Sequence, residues 1–494
     1  MASLIERLAP DDILVTPELS RLQLPHSCHK VPSLPDRVLE EMTFATAMQN
    51  DHTGVYFWAN IHIMFKVEHR RKESPMRNFA CLMILFLSLA TEVASPQEEA
   101  RPMPDSRIRE AIELMTGFAE RTGLSSERPQ QRYLWSDAFA VCNFLGLSRM
   151  TGEKRYTELA LRLVDRVHHT LGRHRDDDSR TGWISGLSER EGDDHPTRGG
   201  LRIGKGLPER SPDQAFDERL EWDRDGQYFH YLTKWMHALD QLTRSTGKPH
   251  FNVWARELAE TAYHAFTYIP PAGGPRRMYW KMSIDLKRPL IFFMGQHDPL
   301  DVYITYVQLR STAAGLQQAG GGPELKDETR QVQAMILETD LGTVDPLGLG
   351  GLLIDAYRVE QLLRQGGVVN PHLLETLLEA SLAGLQYYAA SGELELPAGH
   401  RLAFRELGLA IGLHAVRLMG EAVNRNPTQS SMTGVGLQLR KLMQYVPVGE
   451  KIESFWRTPE HRRSLTWSEH RDINEVMLAT SLVPEGFLVL PSLY

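Results

Sequence analysis

The sequence predicts an all-α fold, a toroid of six helical hairpins of the (α/α)6 type. Three observations lead there. Apolar residues recur at helical spacing in paired segments. The two members of each pair differ in composition. Links from second to first members are short, whereas links in the other direction are often long and hold most of the Trp, His, Gly and paired carboxylates.

In chain order, the first members fall near 106–121, 154–174, 250–268, 324–339, 371–390 and 431–446, and the second near 133–150, 226–245, 300–316, 348–364, 401–423 and 468–482. A helix apolar on one stripe lies at a surface, and one apolar all round is buried. Thr157 to His174 sets Leu159, Leu163, Val164 and Val167 against Arg162, Asp165 and Arg166, as an outer helix should. Tyr133 to Leu147 and Ala403 to Met419 are apolar around most of their circumference, and Gly408 and Gly412 are spaced for a close helix approach. The second members are therefore inner. Long connections then converge on the N-terminal ends of the inner ring, where unsatisfied N–H groups and helix dipoles meet at one mouth. Loops of such length are functional or disordered in compact domains.

The chain has 494 residues, with 42% hydrophobic and 24% charged residues and a net charge of −8. It has the composition of a soluble globular protein with a large core. No basic stretch exists to neutralise phosphates, so nucleic acid is excluded as a main partner. Cys28, Cys81 and Cys142 offer no disulfide framework and fit a reducing, cytoplasmic compartment. His26-Ser27-Cys28-His29 lacks the second ligand pair a zinc knuckle needs.

Residues 1–103 read as an extension outside the pairing scheme, and 104–494 as the toroid domain. The run Ala80 to Ala90, led by Met76-Arg77 and followed by small residues, resembles a secretory signal but is internal and too short to span a bilayer. Three readings stand: a helix packed on the barrel, a natural start at Met76 or Met103, or export. A start at Met76 would reverse the cytoplasmic assignment.

On the helix count, the loop asymmetry and stretches such as RYLWSDAFAVCNFLGL, RLEWDRDGQYFHYLTKWMHAL and MGQHDPLD, residues 104–490 resemble the six-hairpin glycosidase-like superfamily. They are also similar to a bacterial family within it that has no assigned activity. The superfamily holds glycoside hydrolases, unsaturated-uronyl hydrolases and N-acylglucosamine 2-epimerase-type isomerases. The resemblance implies a sugar-sized axial pocket with Asp, Glu or His transferring protons at the inner-helix N-termini.

The residues offer their own candidates. Glu221-Trp222-Asp223-Arg224-Asp225 precedes the second inner helix, followed by Tyr228 and His230. Asp223 or Asp225 is placed to cap that helix, but capping does not account for three acids and a Trp together. Hydrolysing a glycosidic bond needs two carboxyls across the sugar and an aromatic platform. Asp137, beside Trp135 in an apolar inner helix, must be paired or face water; Arg132 and Arg149 are its nearest basic neighbours. In Gly295-Gln296-His297-Asp298-Pro299-Leu300-Asp301, Asp298 reads as an N-cap and His297 as an acid or base near neutrality. Trp280 adds amphipathic surface upstream. Glu469, His470 and Asp472 repeat the pattern at the last inner helix.

The longest connection, 175–221, reads as a lid carrying Trp183, His195, Arg198, Arg202 and Lys205, the basic residues suited to an anionic substituent. Its Gly199 to Gly206 run lacks the Ser or Thr and the preceding strand of a P-loop. No G-x-S-x-G, H-E-x-x-H or EF-hand spacing occurs. His168 and His169, being adjacent, cannot share a helix face.

The expectation is a glycoside hydrolase with Asp137, Glu221, Asp223, Asp225 and His297 as catalytic candidates. Trp135, Trp183, Arg202, Trp222, Tyr228, His230, Trp280, Asp298 and His470 are the substrate-binding candidates. The substrate is a small sugar or sugar acid, with no cofactor, metal or membrane partner implied. Two alternatives stay open: a sugar isomerase or epimerase using His230, His297 or His470, and a non-catalytic binding protein.

Overall fold

The computed structural model describes residues 105–316, 321–337, 339–425 and 433–493. The expectations for the N-terminal extension lie outside them. Helices in chain order are α1 (Ser106–Arg121), α2 (Leu134–Thr151), α3 (Lys154–Leu171), the short α4 (Glu189–Asp194) and α5 (Glu218–Asp223), α6 (Phe229–Thr246), α7 (His250–Phe266), α8 (Asp298–Gly315) and α9 (Lys326–Ile336). They continue with α10 (Pro346–Arg364), α11 (Pro371–Ala390), α12 (Ala403–Arg425), α13 (Thr433–Leu442), α14 (Val446–Arg457), α15 (Leu465–Ser468), α16 (Arg471–Leu482) and α17 (Glu485–Leu488).

Helices α2, α6, α8, α10, α12 and α16 form a ring in which each packs on the next and α16 closes on α2. Outside it, α3 packs on α2, α7 on α6, α9 on α8, α11 on α10, α14 on α12 and α1 on α16. The chain is thus an (α/α)6 toroid, and composition explains the two layers. In α2 every residue from Ser136 to Leu147 is buried, whereas α3 buries the single stripe Tyr156, Ala160, Leu163, Val164, Val167, His168 and Leu171.

Two places show how tightly the ring is drawn. Between α10 and α12, Gly350 faces Gly408 and Gly412, and a Cβ on Gly412 would come within 2.7 Å of Gly350 Cα. Backbones approach there because neither helix carries a side chain between them. At the other end of the axis, the chain after α16 crosses the base. Phe487 stacks on Phe139 with ring centroids 4.4 Å apart. The Phe487 carbonyl accepts from His237 Nε2 at 2.9 Å, and Gln361 Nε2 donates to the Leu488 carbonyl at 2.9 Å while its Oε1 accepts from Leu490 N at 2.8 Å. Side chains of α6 and α10 thereby satisfy the backbone of this C-terminal segment, which would otherwise be costly to bury.

The predicted outer helix near 431–446 is corrected to two helices. α13 packs on α11, and α14, which opens with Pro447 in its first turn, is the outer partner of α12. A proline cannot continue a helix interior, so the chain turns there. The connection 172–228 is pinned rather than open. Arg198 binds Glu257 at 2.9 Å, Arg180 binds Asp178 and Glu209, each at 2.7 Å, and Trp183 is buried. Among the described residues, no helix is long and apolar enough to cross a membrane.

Because Phe487 fills the base of the axis, Phe487→Ala should cost about 3 to 5 kcal/mol and lower the Tm in a thermal melt. An unchanged Tm would show that the segment only lies across the base without closing it.

Candidate functional site

The mouth is built by the starts of the inner helices. α2, α6, α8 and α16 begin after Tyr133, Tyr228, His297 and His470, and none of these side chains caps its helix. Backbone serves some of the first-turn N–H groups instead: Leu134 N donates to the Ile203 carbonyl at 3.0 Å and Asp298 N to the Gly295 carbonyl at 3.3 Å.

Inside the mouth, three helices bring five ionisable groups together. Asp301 on α8 receives Lys234 Nζ of α6 at 2.7 Å, the Thr233 hydroxyl, and Arg358 Nη1 of α10 at 3.4 Å. Arg358 also holds Asp355 at 3.1 Å and donates to Gln308 Oε1 at 2.7 Å and Thr305 Oγ1 at 3.0 Å. Asp298 lies one turn before Asp301, and its carboxyl accepts the Gly295 N–H at 3.2 Å. The cluster has three carboxyls and two cations, all in a poorly solvated setting, with Asp298, Asp301 and Asp355 at 8%, 7% and 5% exposure.

Such an excess of acid favours retention of a proton. Burial, reinforced by the charge of Asp301, pushes Asp298 up to about 7. Burial and Asp301 likewise push Asp355 up to about 6 against the pull of Arg358. Burial would raise Asp301 too, but Lys234 and Arg358 outweigh it and leave its pKa lowered. One helix face thus presents a fixed carboxylate next to a carboxyl that titrates near neutrality.

Aromatic rings border this cluster. Trp135 contacts Tyr231 and Phe139, each at 5.2 Å between centroids, and approaches His230 at 6.3 Å. Trp280, in the bend between Arg277–Met278 and Lys281–Met282, stacks on His230 at 5.8 Å and meets Trp222 edge-on at 5.0 Å. Trp280 Nε1 donates to His230 Nδ1 at 3.1 Å. An indole N–H only donates, so Nδ1 is unprotonated and the neutral ring carries its proton on Nε2. Burial, with a contribution from Lys234, lowers the His230 pKa to about 3. His230 is therefore a neutral N–H donor across the physiological range.

The antiparallel pairing of β1 (Gln227–Tyr228) with β4 (Lys281–Met282), and of β4 with β5 (Pro289–Ile291), ties this wall to the start of α6. β2 (Thr267–Tyr268) and β3 (Arg277–Met278) form the second small ladder.

The other candidates are placed as follows. Asp225 is fully buried, bound to Arg202 at 2.6 Å and Arg175 at 3.4 Å, and accepts the Gly204 and Gly226 N–H groups. Arg202 also donates to the Arg173 and Thr170 carbonyls, each at 2.7 Å, so it anchors the long connection. Glu221 binds Arg210 at 2.8 Å and buried Lys281 at 3.1 Å. Asp223 is exposed at the end of α5. The expected capping of α6 by Asp223 or Asp225 is corrected, because that helix has no side-chain cap and Asp225 serves the loop glycines instead. Asp298 is likewise not a cap. It is the first residue of α8 and bonds back to Gly295, because the helix starts one residue earlier than capping requires.

Asp137 accepts from Arg132 Nη1 at 3.2 Å and from Tyr133 N at 3.0 Å, and burial, opposed chiefly by Arg132, raises it to about 6. Tyr228 is buried between His230, Tyr231 and Trp280. Trp183 packs on His169 of α3 at 5.3 Å, away from the axial cluster. His297 contacts the Leu341 carbonyl through Nε2 at 3.2 Å, and burial lowers its pKa. His470 meets Phe404 at 5.7 Å. Asp472 pairs with Arg121 at 2.9 Å, while neighbouring Arg471 binds Glu475 at 2.8 Å.

Sequence reasoning missed Lys234, Asp355 and Arg358, and treated Asp301 only as helix-start chemistry. A signal was available for Asp301, Asp355 and Arg358, which lie in helices rich in apolar residues, but not for Lys234, whose helix is of mixed composition. The same logic had been applied to Asp137.

A cleft of ≈ 390 Å³ lies beside the start of α2, lined by Arg132, Ser136, Asp137, Arg202, Lys205 and Asp472 among others. Arg132, Asp137, Arg202 and Asp472 there already form ion pairs with one another or with Asp225 and Arg121. The axial cluster, by contrast, holds carboxyls in excess of its cations.

No protein-family model matches this sequence, and no curated protein matches it. Among solved structures, it is similar to cellobiose 2-epimerase from Spirochaeta thermophila at 12% sequence identity and a TM-score of 0.40, over 76% of this chain and 98% of that one.

Asp298 and Asp355 have folded pKa values, about 7 and about 6, above the ordinary value of 3.8. The folded state therefore binds more protons than the unfolded one between those limits, and stability supplied at low pH is lost as pH rises through 6 to 7. In denaturant melts at pH 5 and pH 8, Asp298→Asn should shrink the loss of stability toward pH 8. An undiminished loss would mean that Asp298 is already ionised well below neutrality.

Proposed function

We propose that this protein is a carbohydrate-active enzyme that hydrolyses glycosidic bonds in the axial mouth, with Asp298 as general acid and Asp355 as its carboxylate partner. The observation that carries the reading is the buried cluster in which Asp298, Asp301 and Asp355 outnumber Lys234 and Arg358, so that burial and the charge of Asp301 raise both Asp298 and Asp355. Hydrolysis needs one carboxyl that keeps a proton for the leaving oxygen and a second that acts as base or nucleophile. Asp298, beside the charge of Asp301, is assigned the first role, and Asp355, held by Arg358 at 3.1 Å, the second. Asp301, ionised and held by Lys234, Thr233 and Arg358, keeps Asp298 protonated and stabilises positive charge developing on the sugar.

Binding follows from the wall. Trp135 and Trp280 offer apolar faces to a pyranose ring, and His230 Nε2–H donates to a sugar hydroxyl. That tautomer also weighs between the two enzymatic readings. An isomerase needs a lone pair to lift a proton from carbon, and His230 spends its lone pair on Trp280. The hydrolase reading needs only its N–H. Glu221, Asp223 and Asp225 belong, in this proposal, to the scaffold that carries Trp222 and Trp280.

The test is turnover of a panel of aryl glycosides and neutral or acidic disaccharides, beside proton exchange at C2 of free reducing sugars in deuterated water. Hydrolysis is expected, slowed about 10²- to 10⁴-fold in Asp298→Asn with substrate binding retained, and with an alkaline limb near pH 7 in the wild type. Deuterium incorporation without hydrolysis would replace the proposal with isomerisation. The anomer released first would show whether the carboxyls act at roughly 6.5–9.5 Å, inverting, or about 5 Å, retaining.

A further inference from the structure

On the outer surface, Glu260 and His264 stand one turn apart on α7, and Glu328 lies in the first turn of α9. One ligand atom from each lies within 4.8 Å of the other two, and none of the three is buried. These helices belong to successive hairpins, and Tyr263 Oη, donating to Gln331 Oε1 at 2.6 Å, joins the same two helices beside the cluster. Of the basic residues on neighbouring segments, Arg330 pairs with Asp327 at 2.7 Å and Arg276 donates to Thr267 Oγ1 at 3.0 Å.

We propose that Glu260, His264 and Glu328 form a surface site for a first-row divalent cation of the zinc class, which ties the outer helix of the second hairpin to that of the third. Imidazole nitrogen with two carboxylate oxygens suits zinc or cobalt rather than calcium or magnesium, which prefer oxygen alone. Bonds of about 2.0–2.2 Å put tetrahedral ligand atoms about 3.3 Å apart. Surface side chains reach that spacing by small rotations. A cation also removes the repulsion of two carboxylates brought together from different helices. The fourth position is open to water.

The test is titration of the untagged full-length protein with Co²⁺, followed by visible absorption, and with Zn²⁺ by calorimetry and thermal melting. The wild type should show a one-equivalent step and a rise in Tm with Zn²⁺. Both should disappear in His264→Ala and in Glu328→Gln, with the metal-free Tm of each variant near that of the wild type. No one-equivalent step in the wild type, or a step unchanged in both variants, would overturn the proposal. So would binding that leaves the Tm where it was, because a cation held by both helices must stabilise their contact.

Discussion

A closed ring of parallel inner helices leaves an axis down which every polar group must find a partner, because little water is there to supply one. In this protein part of that requirement is met by a ladder that descends through three neighbouring helices. Lys234 and Thr233 bind Asp301, Arg358 binds Asp301 and Asp355, Gln308 accepts from Arg358, and His237 links Gln308 to the Phe487 carbonyl at the base. The C-terminal segment closes one end of the axis, and the acid-rich cluster begins at the other, in the first turn of α8. With Asp298, one turn before Asp301, the groups number three carboxyls against two cations, so charge is left unbalanced. That surplus holds a proton near neutrality, and a held proton is what an acid catalyst supplies.

The arrangement also separates scaffold from chemistry along the chain. The long connection before α6 uses buried ion pairs, Asp225 with Arg202 and Glu221 with Arg210 and Lys281, to fix loops that carry Trp222 and Trp280. Breaking a buried pair by removing one partner costs about 3 to 5 kcal/mol. These acids are thus strongly determined by structure alone. The inner helices carry the groups whose ionisation remains adjustable. Helix-borne groups are held more firmly than loop-borne ones, which suits a proton donor that must meet one oxygen.

Much of the fold was legible because helical periodicity and the contrast between one-striped and all-round apolar helices are physical consequences of burial. Thr157 to His174 against Tyr133 to Leu147 already sorts outer from inner. What escaped was the segment after α16, whose short apolar run has no period, and α14, where Pro447 reads as a terminator although it opens a helix. Of the candidates read from sequence, Trp135, His230 and Trp280 prove to lie side by side. Asp355 and Arg358, three residues apart, look like a surface ion pair; only the apolar remainder of α10 marks them as interior. Conversely, Glu221, Asp223 and Asp225 stand out in sequence because acids cluster beside a Trp. Pairing with distant Arg210, Arg202 and Lys281 is invisible until the chain folds.

The proposed hydrolysis needs a protonated Asp298, and infrared difference spectroscopy between pH 6 and pH 8 addresses it directly. The account predicts a protonated-carboxyl C=O band that is lost with a midpoint near 7 and that is missing in Asp298→Asn. A wild-type spectrum with no carboxyl titrating above pH 6, or a band near 7 that survives Asp298→Asn, would contradict it.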